Sequence, residues 1–304
     1  MAIRSDPIED DRAGSPPADP AEIVHEARKA IKRMRALARL LREQLGEQEF
    51  ARVNTSLRQA AQRLAGARDA DVRLMTLQDL IAHHPRALAT DGVRQLERQL
   101  QHERLQGGEP SDIDDVLRDI AAMRDQLARW SLVDTDFETL APGLRRIYRE
   151  GRRRYTRCAR EHGRDEQDVH DWRKRVKSLY YALDMLGAKK VKGARRVTRR
   201  ADRLGDLLGS EHDLWVLCSY VDAHPELFAE DQAAEAELLK RIGQRRRRLR
   251  KRALKLGVRL YKHKPDRFTH RSRTRGLSNP ALTPPSRDNP HAYDCAPMAH
   301  PDRA

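Results

Sequence analysis

The chain has no run of about 18 apolar residues, so no membrane-spanning helix is expected. Its first residues lack an apolar leader core, so a secretory signal is not expected either. Cysteine is scarce. Cys158, Cys218 and Cys295 are odd in number and widely separated, which fits neither a disulfide framework nor a zinc ribbon and suits a reducing cytoplasm. Aromatic residues make up only 5% of the chain, leaving few rings on which the bases of a single strand could stack. Alternating Val/Ile/Thr/Tyr runs are missing, which argues against strands. There is no GxSxG and no P-loop, so neither a serine nucleophile nor a nucleotide phosphate cradle is signalled, and no enzyme is expected.

Metal binding and cofactors are not expected. His83 and His84 precede Pro85 and read as a helix end, while His25 and Glu26 diverge by about 100° on a helix and cannot face one ion. His291, Cys295 and His300 lack a fourth ligand.

Proline is nearly absent from the middle. Of 15 prolines, four lie in residues 1–20 and seven in 265–304, leaving only Pro85, Pro110, Pro142 and Pro225 between. Residues 1–19 and 269–304 therefore read as tails, and 20–268 as an almost unbroken helical body. Asp19-Pro20-Ala21-Glu22 is a strong helix start, with weaker ones at 111–114 and 165–168. Pro85, Gly107-Gly108, Pro142, Gly187 and Pro225 are the expected breaks. The fold class is all-α, with Trp130, Trp172 and Trp215 expected in the core.

Positive charge is plentiful: 61 Lys and Arg against 46 Asp and Glu give a net +15, so an anionic partner is expected. The charge is patterned by an internal repeat. Val24-His25-Glu26-Ala27-Arg28-Lys29-Ala30-Ile31-Lys32 recurs as Val169-His170-Asp171-Trp172-Arg173-Lys174-Arg175-Val176-Lys177, and residues 66–72 align with 210–216. This predicts two pseudo-symmetric, four-helix-bundle-like halves, about 20–135 and 136–268.

At about 100° per residue, Val24, Ala27, Ile31, Met34, Leu37, Ala38 and Leu41 line one face of the first repeated helix. His25, Arg28, Lys32, Arg35 and Arg39 form a cationic stripe beside it. The second copy repeats both, with Trp172, Val176, Leu179, Ala182, Leu183 and Leu186 apolar and His170, Arg173 and Lys177 cationic. Solvated helix faces usually mix signs through i,i+4 pairs, so two single-sign stripes point to a polyanion. Residues 145–160 add eight arginines against Glu150, residues 189–203 add eight cations against Asp202, and residues 245–255 carry no acid.

The VHxxRK helix in two copies, the RDxDV-like segment at 68–72 and the ending at 260–268 resemble the conserved-histidine α-helical domain, the CHAD family. The resemblance implies two helical bundles that bind inorganic polyphosphate in a basic groove, and association with polyphosphate granules. It carries the ligand role onto His25, Arg28, Lys32, Arg33 and Arg35, and onto His170, Arg173, Lys174 and Lys177, with Leu208-Gly209 and His212-Asp213 matching a later turn. Arg149, Arg153, Arg196, Arg199 and Arg203 are expected to add contacts. In the second copy Ser178 and Tyr180 stand where the family pattern has cations, and Asp184 aligns with Arg39. No ExExK segment of a fused triphosphatase is present.

His25 and His170, with a reference pKa near 6.5, are expected to tighten binding toward pH 6. A nucleic-acid binder is the competing reading, and a scaffold recruiting granule-associated proteins through the tail at 276–304 a third.

Overall fold

The computed structural model describes residues 20–64, 66–106, 113–129, 137–161, 163, 165–187 and 192–273. Among them are ten α-helices and no strand. In order they are α1 (Pro20–Leu40), α2 (Arg42–Arg63), α3 (Gly66–His83), α4 (Asp91–Gln106), α5 (Ile113–Arg129), α6 (Phe137–Arg160), α7 (Glu166–Met185), α8 (Lys192–Ala223), α9 (Gln232–Leu260) and α10 (Pro265–Arg273). A 3₁₀ turn at Pro225–Phe228 separates α8 from α9. The all-α expectation holds. No described helix is long and apolar enough to cross a membrane.

Local chemistry explains most boundaries. The Asp165 side chain accepts from the Asp168 N–H at 2.9 Å and starts α7, and Asp231 does the same for Ala234 at the start of α9. Gly187, at φ 65°, closes α7 in the left-handed conformation. Asp19, Ser111, Asp112, Gly107 and Gly108 lie outside the described residues.

Two boundary expectations need correction. Pro142 does not end a helix but sits inside α6. It is exposed and in the second turn, where proline removes one helical N–H, while Phe137, Leu140, Gly143 and Leu144 hold the helix by burial. At the other end, α10 continues to Arg273 rather than stopping at 268, with Ser272 buried and its Oγ donating to the Phe268 carbonyl at 2.9 Å.

Three apolar cores hold the helices. One joins α1, α2 and α5 through Ile31, Leu57 and Val116. A second joins α3 and α4 to the C-terminal half of α8 and the N-terminal half of α9 through Leu77, Leu96, Leu217 and Leu238. The third, around Trp172 and Tyr148, gathers α6, α7, α10, the N-terminal half of α8 and the C-terminal half of α9, and reaches Leu40 and Leu41. The long helices α8 and α9 thus run through two cores, and the second core draws on residues from both sides of position 135. The helices that carry the repeated segments meet one another, α1 on α7 and α3 on α8.

Buried charge locks α9 to its neighbours. Glu211, 2% exposed, accepts from Arg246 Nε at 3.0 Å and Arg250 Nε at 2.8 Å, and both arginines also pair with Glu166. Gly143 marks the closest crossing of α1 and α6, where an added Cβ would overlap the Leu40 carbonyl.

Removing one member of a buried ionic network leaves the others desolvated and unpaired. Glu211→Ala is therefore expected to cost about 3–5 kcal/mol in urea unfolding. Arg52→Ala, which breaks the exposed Arg52–Glu49 pair, should leave the unfolding midpoint almost unchanged. Gly143→Ala should cost about 1–3 kcal/mol by forcing α6 away from α1, and equal midpoints for wild type and variant would contradict that close approach.

Candidate polyanion-binding site

The apolar faces predicted for the repeated helix are the ones that fold inward. Val24, Ala27, Ile31, Met34, Ala38 and Leu41 are buried on and beside α1, and Trp172, Val176, Leu179, Ala182, Leu183 and Leu186 on and beside α7. That burial fixes the rotation of both helices and hence the direction of their cations.

On α1 the stripe turns toward α2, α6 and α7. Arg28 Nη1 donates to the Leu64 carbonyl at the end of α2 at 2.5 Å, and Arg35 Nε donates to Asn54 Oδ1 at 3.4 Å. Arg39 lies with Arg42, Asn54, Arg146, Glu150 and Arg175 around a cavity of about 190 Å³. Arg146 reaches from α6 to the Arg39 carbonyl at 3.1 Å and to Glu43 at 2.8 Å, while Arg175 pairs with Glu150 at 2.8 Å.

Cations outnumber acids here, and the guanidinium groups feel it. Arg39 is pushed down to about 10 by burial first and then by Arg35 and Arg175, with Glu150 opposing. Arg35 is lowered by burial, Arg58 and Arg175. Such lowering stores repulsion that a bound anion would relieve.

On α7 the stripe turns toward α8. The His170 and His212 rings lie 4.7 Å apart, and Trp215 stacks on His212 at 5.5 Å. Together with Glu166, Gln167 and Glu211 they line a cavity of about 130 Å³. The His170 Nδ1 atom is shielded from solvent without a hydrogen-bond partner. Burial lowers the pKa of His170, helped by Lys174 and Arg173 against Asp171. His212 is lowered to about 3 by burial, then by Arg173, His170, Lys174 and Arg246. Both imidazoles are therefore neutral near pH 7 in a positive field. His170 does not gain its proton near 6.5, as the sequence reading expects, because desolvation and two neighbouring cations disfavour the charged ring.

The other predicted residues fall as follows. His25 and Lys32 are exposed on α1. Arg33 pairs with Asp184 at 3.5 Å, Lys174 with Asp171 at 3.5 Å and Lys177 with Asp206 at 3.0 Å, so the stripes are partly neutralised rather than bare. Arg149 and Arg153 border a cavity of about 420 Å³ on α6 with Arg152, Arg157 and Arg160. Arg196, Arg199 and Arg203 are exposed along α8. Ser178, where a cation was expected, is buried and donates to the Lys174 carbonyl at 2.9 Å, so a charge there would face the core.

Trp215 is 38% exposed, not core, because Leu214 and Leu217 fill the inward positions of that turn. Trp130 lies outside the described residues, as do Lys189, Lys190, His291 and His300. Arg42, Arg58, Arg146 and Arg175 were missed by the sequence pattern. They lie off the repeated stripe, and only packing brings Arg42, Arg146 and Arg175 to the Arg39 cavity and Arg58 close to Arg35.

Among the described residues no group of three His, Cys, Asp or Glu could hold a metal ion. No curated protein and no solved structure matches the chain. The family model for the CHAD domain matches residues 11–222, which takes in the helices bearing both cationic stripes and ends with α8. With that match over well above half its length, the chain belongs to the CHAD family.

Proposed function

We propose that the protein binds inorganic polyphosphate without turning it over, in keeping with the general association of CHAD domains with this polymer. The observation that carries the reading is the gathering of Arg39, Arg42, Arg146 and Arg175 around one cavity, where Arg39 and Arg35, lowered first by burial, are lowered further by the Arg175 charge. A fold keeps such repulsion where an anion is to come.

Polyphosphate offers repeating acceptor oxygens and no bases. Arginine meets them with a planar donor fork and lysine with a mobile charge. Single exposed ion pairs contribute only ~0–1 kcal/mol each, so affinity must come from many contacts along one polymer. The α1 and α7 neighbourhoods serve as two subsites, with Arg149, Arg153, Arg196, Arg199 and Arg203 extending the path. His25 contributes from the exposed side of α1. Granule association in the cytoplasm, and recruitment of other proteins through residues 276–304, belong to the same reading.

Replacing Arg35, Arg39 and Arg175 together by Gln should weaken long-chain polyphosphate at least 10-fold, with a shallower salt dependence. Affinity should rise with chain length, and equal binding of short and long polymers would refute dispersed contacts. Phosphate release measured in the same incubations, with and without divalent metal, tests the non-catalytic half of the proposal.

The pH dependence has a defined sign. Bound phosphate raises the depressed pKa of His170, so the complex takes up a proton that the free protein does not hold. Binding should tighten between pH 8 and pH 6, and His170→Asn should flatten that slope. Calorimetry in buffers of different ionisation enthalpy reads the uptake directly; no proton uptake in the wild type would remove His170 from the site.

A further inference from the structure

Helix α9 carries a second cationic surface that the polyphosphate reading does not use. From Leu238 to Leu260 the helix contains no Asp or Glu. Its inward side is set by Leu238, Ile242, Ala253, Gly257 and Leu260, together with Arg246 and Arg250, which are consumed by Glu166 and Glu211. Arg241 and Arg245 are also consumed, by Glu237 and Asp79.

What remains on the outer side is Arg247, Arg248, Lys251, Arg252, Lys255 and Arg259, all exposed. At about 100° per residue they occupy one arc of roughly 140°, running about 18 Å along the axis. None has an ion pair or hydrogen bond to another described residue. The field extends beyond α9: His84, at the end of α3, is lowered by burial first and then by Arg241, His83, Arg245 and Arg248. The family match stops at residue 222, so this face lies outside the segment that identifies the domain.

We propose that the outer face of α9 is a separate binding surface for the phosphate backbone of duplex nucleic acid, engaged without sequence preference. The face is open, with all six cations exposed on one side of a helix. A single flexible polymer would touch it along one line, whereas a duplex presents two rails of phosphates at fixed spacing to several cations at once. The cations stand in i,i+4 rows, Arg247–Lys251–Lys255–Arg259 and Arg248–Arg252, about 6 Å apart along the axis. No aromatic ring lies among them, so stacking on single strands is not offered. The one exposed apolar residue of the arc, Val258, is too little for insertion into a lipid surface. Between residues 247 and 259 the exposed positions are all Arg or Lys apart from Val258, so attraction to backbone phosphates is the contact the face offers.

The test uses the full chain. Arg247, Lys251, Lys255 and Arg259 are replaced together by Gln, which keeps helix propensity close to the original, and folding is checked by circular dichroism. Binding of a fluorescent 25-base-pair duplex is titrated at several salt concentrations beside labelled polyphosphate. The wild type is expected to bind the duplex with a log–log salt slope of about −4 to −5. The α9 variant should lose at least 10-fold in duplex affinity, its slope becoming flatter by about 3, with polyphosphate affinity unchanged. The Arg35, Arg39, Arg175→Gln variant should show the reverse pattern.

Duplex affinity within threefold of wild type in the α9 variant overturns the proposal. So does parallel loss of polyphosphate and duplex in that variant, which would make α9 one part of an undivided polyanion surface. Stronger α9-dependent binding to phosphatidylserine vesicles than to duplex would overturn the choice of ligand. Failure of the groove variant alone would instead count against the polyphosphate site and leave α9 standing.

Discussion

Like charges brought close must be held there by something else, and here it is apolar packing. Arg35 and Arg39 on α1 meet Arg175 on α7 and Arg146 on α6 because Leu40 and Leu41 enter the core of α6 and α7, and because Gly143 lets α6 approach the Leu40 carbonyl. Burial of each aliphatic side chain contributes about 1.5–3 kcal/mol, enough over a dozen positions to offset mutual repulsion at effective dielectrics near 20. The cluster is therefore not a surface accident. It exists only as long as the crossing of α1 with α6 and α7 does.

Arginine plays three roles, separated by burial and by partner. Arg246 and Arg250 saturate Glu211 and Glu166 and join α9 to α7 and α8. Arg39 is buried among other cations with too little acid to balance it. Arg247, Arg248 and Arg252 are exposed and have no ion pair to another described residue. Composition alone merges these into a net +15. Only the pairing distinguishes a rivet from a binding group, and only the second and third classes are open to an outside anion.

The all-α class and the rotation of α1 and α7 were legible because both depend on spacing along one helix. Val24 to Leu41 and Trp172 to Leu186 face inward as the periodicity requires. Pro85, Gly187 and Pro225 marked three of the breaks between helices, and Pro142 misled because burial of Phe137, Leu140 and Leu144 outweighs one lost hydrogen bond in an outer turn. The stripes were legible as stripes, but not their neighbours. Asp206 neutralises Lys177 from 29 residues away, and Asp184 meets Arg33 from 151 away. Arg146 and Arg175 join Arg39 by the same kind of long-range approach, which no one-helix pattern encodes.

The two histidines show why the neighbours decide the chemistry. An isolated imidazole on a cationic helix reads as a group that charges near pH 6.5. With His212 at 4.7 Å, Lys174 and Arg173 alongside, and Nδ1 shielded, His170 is instead held neutral. A neutral ring in a positive field is not idle: it presents one donor and one acceptor, and it is the one nearby group able to accept a proton when an anion lowers the local potential. The lysines and arginines around it supply the standing attraction for an anion. The imidazole pair can make attraction depend on pH, and its depressed starting point places that dependence in the bound state.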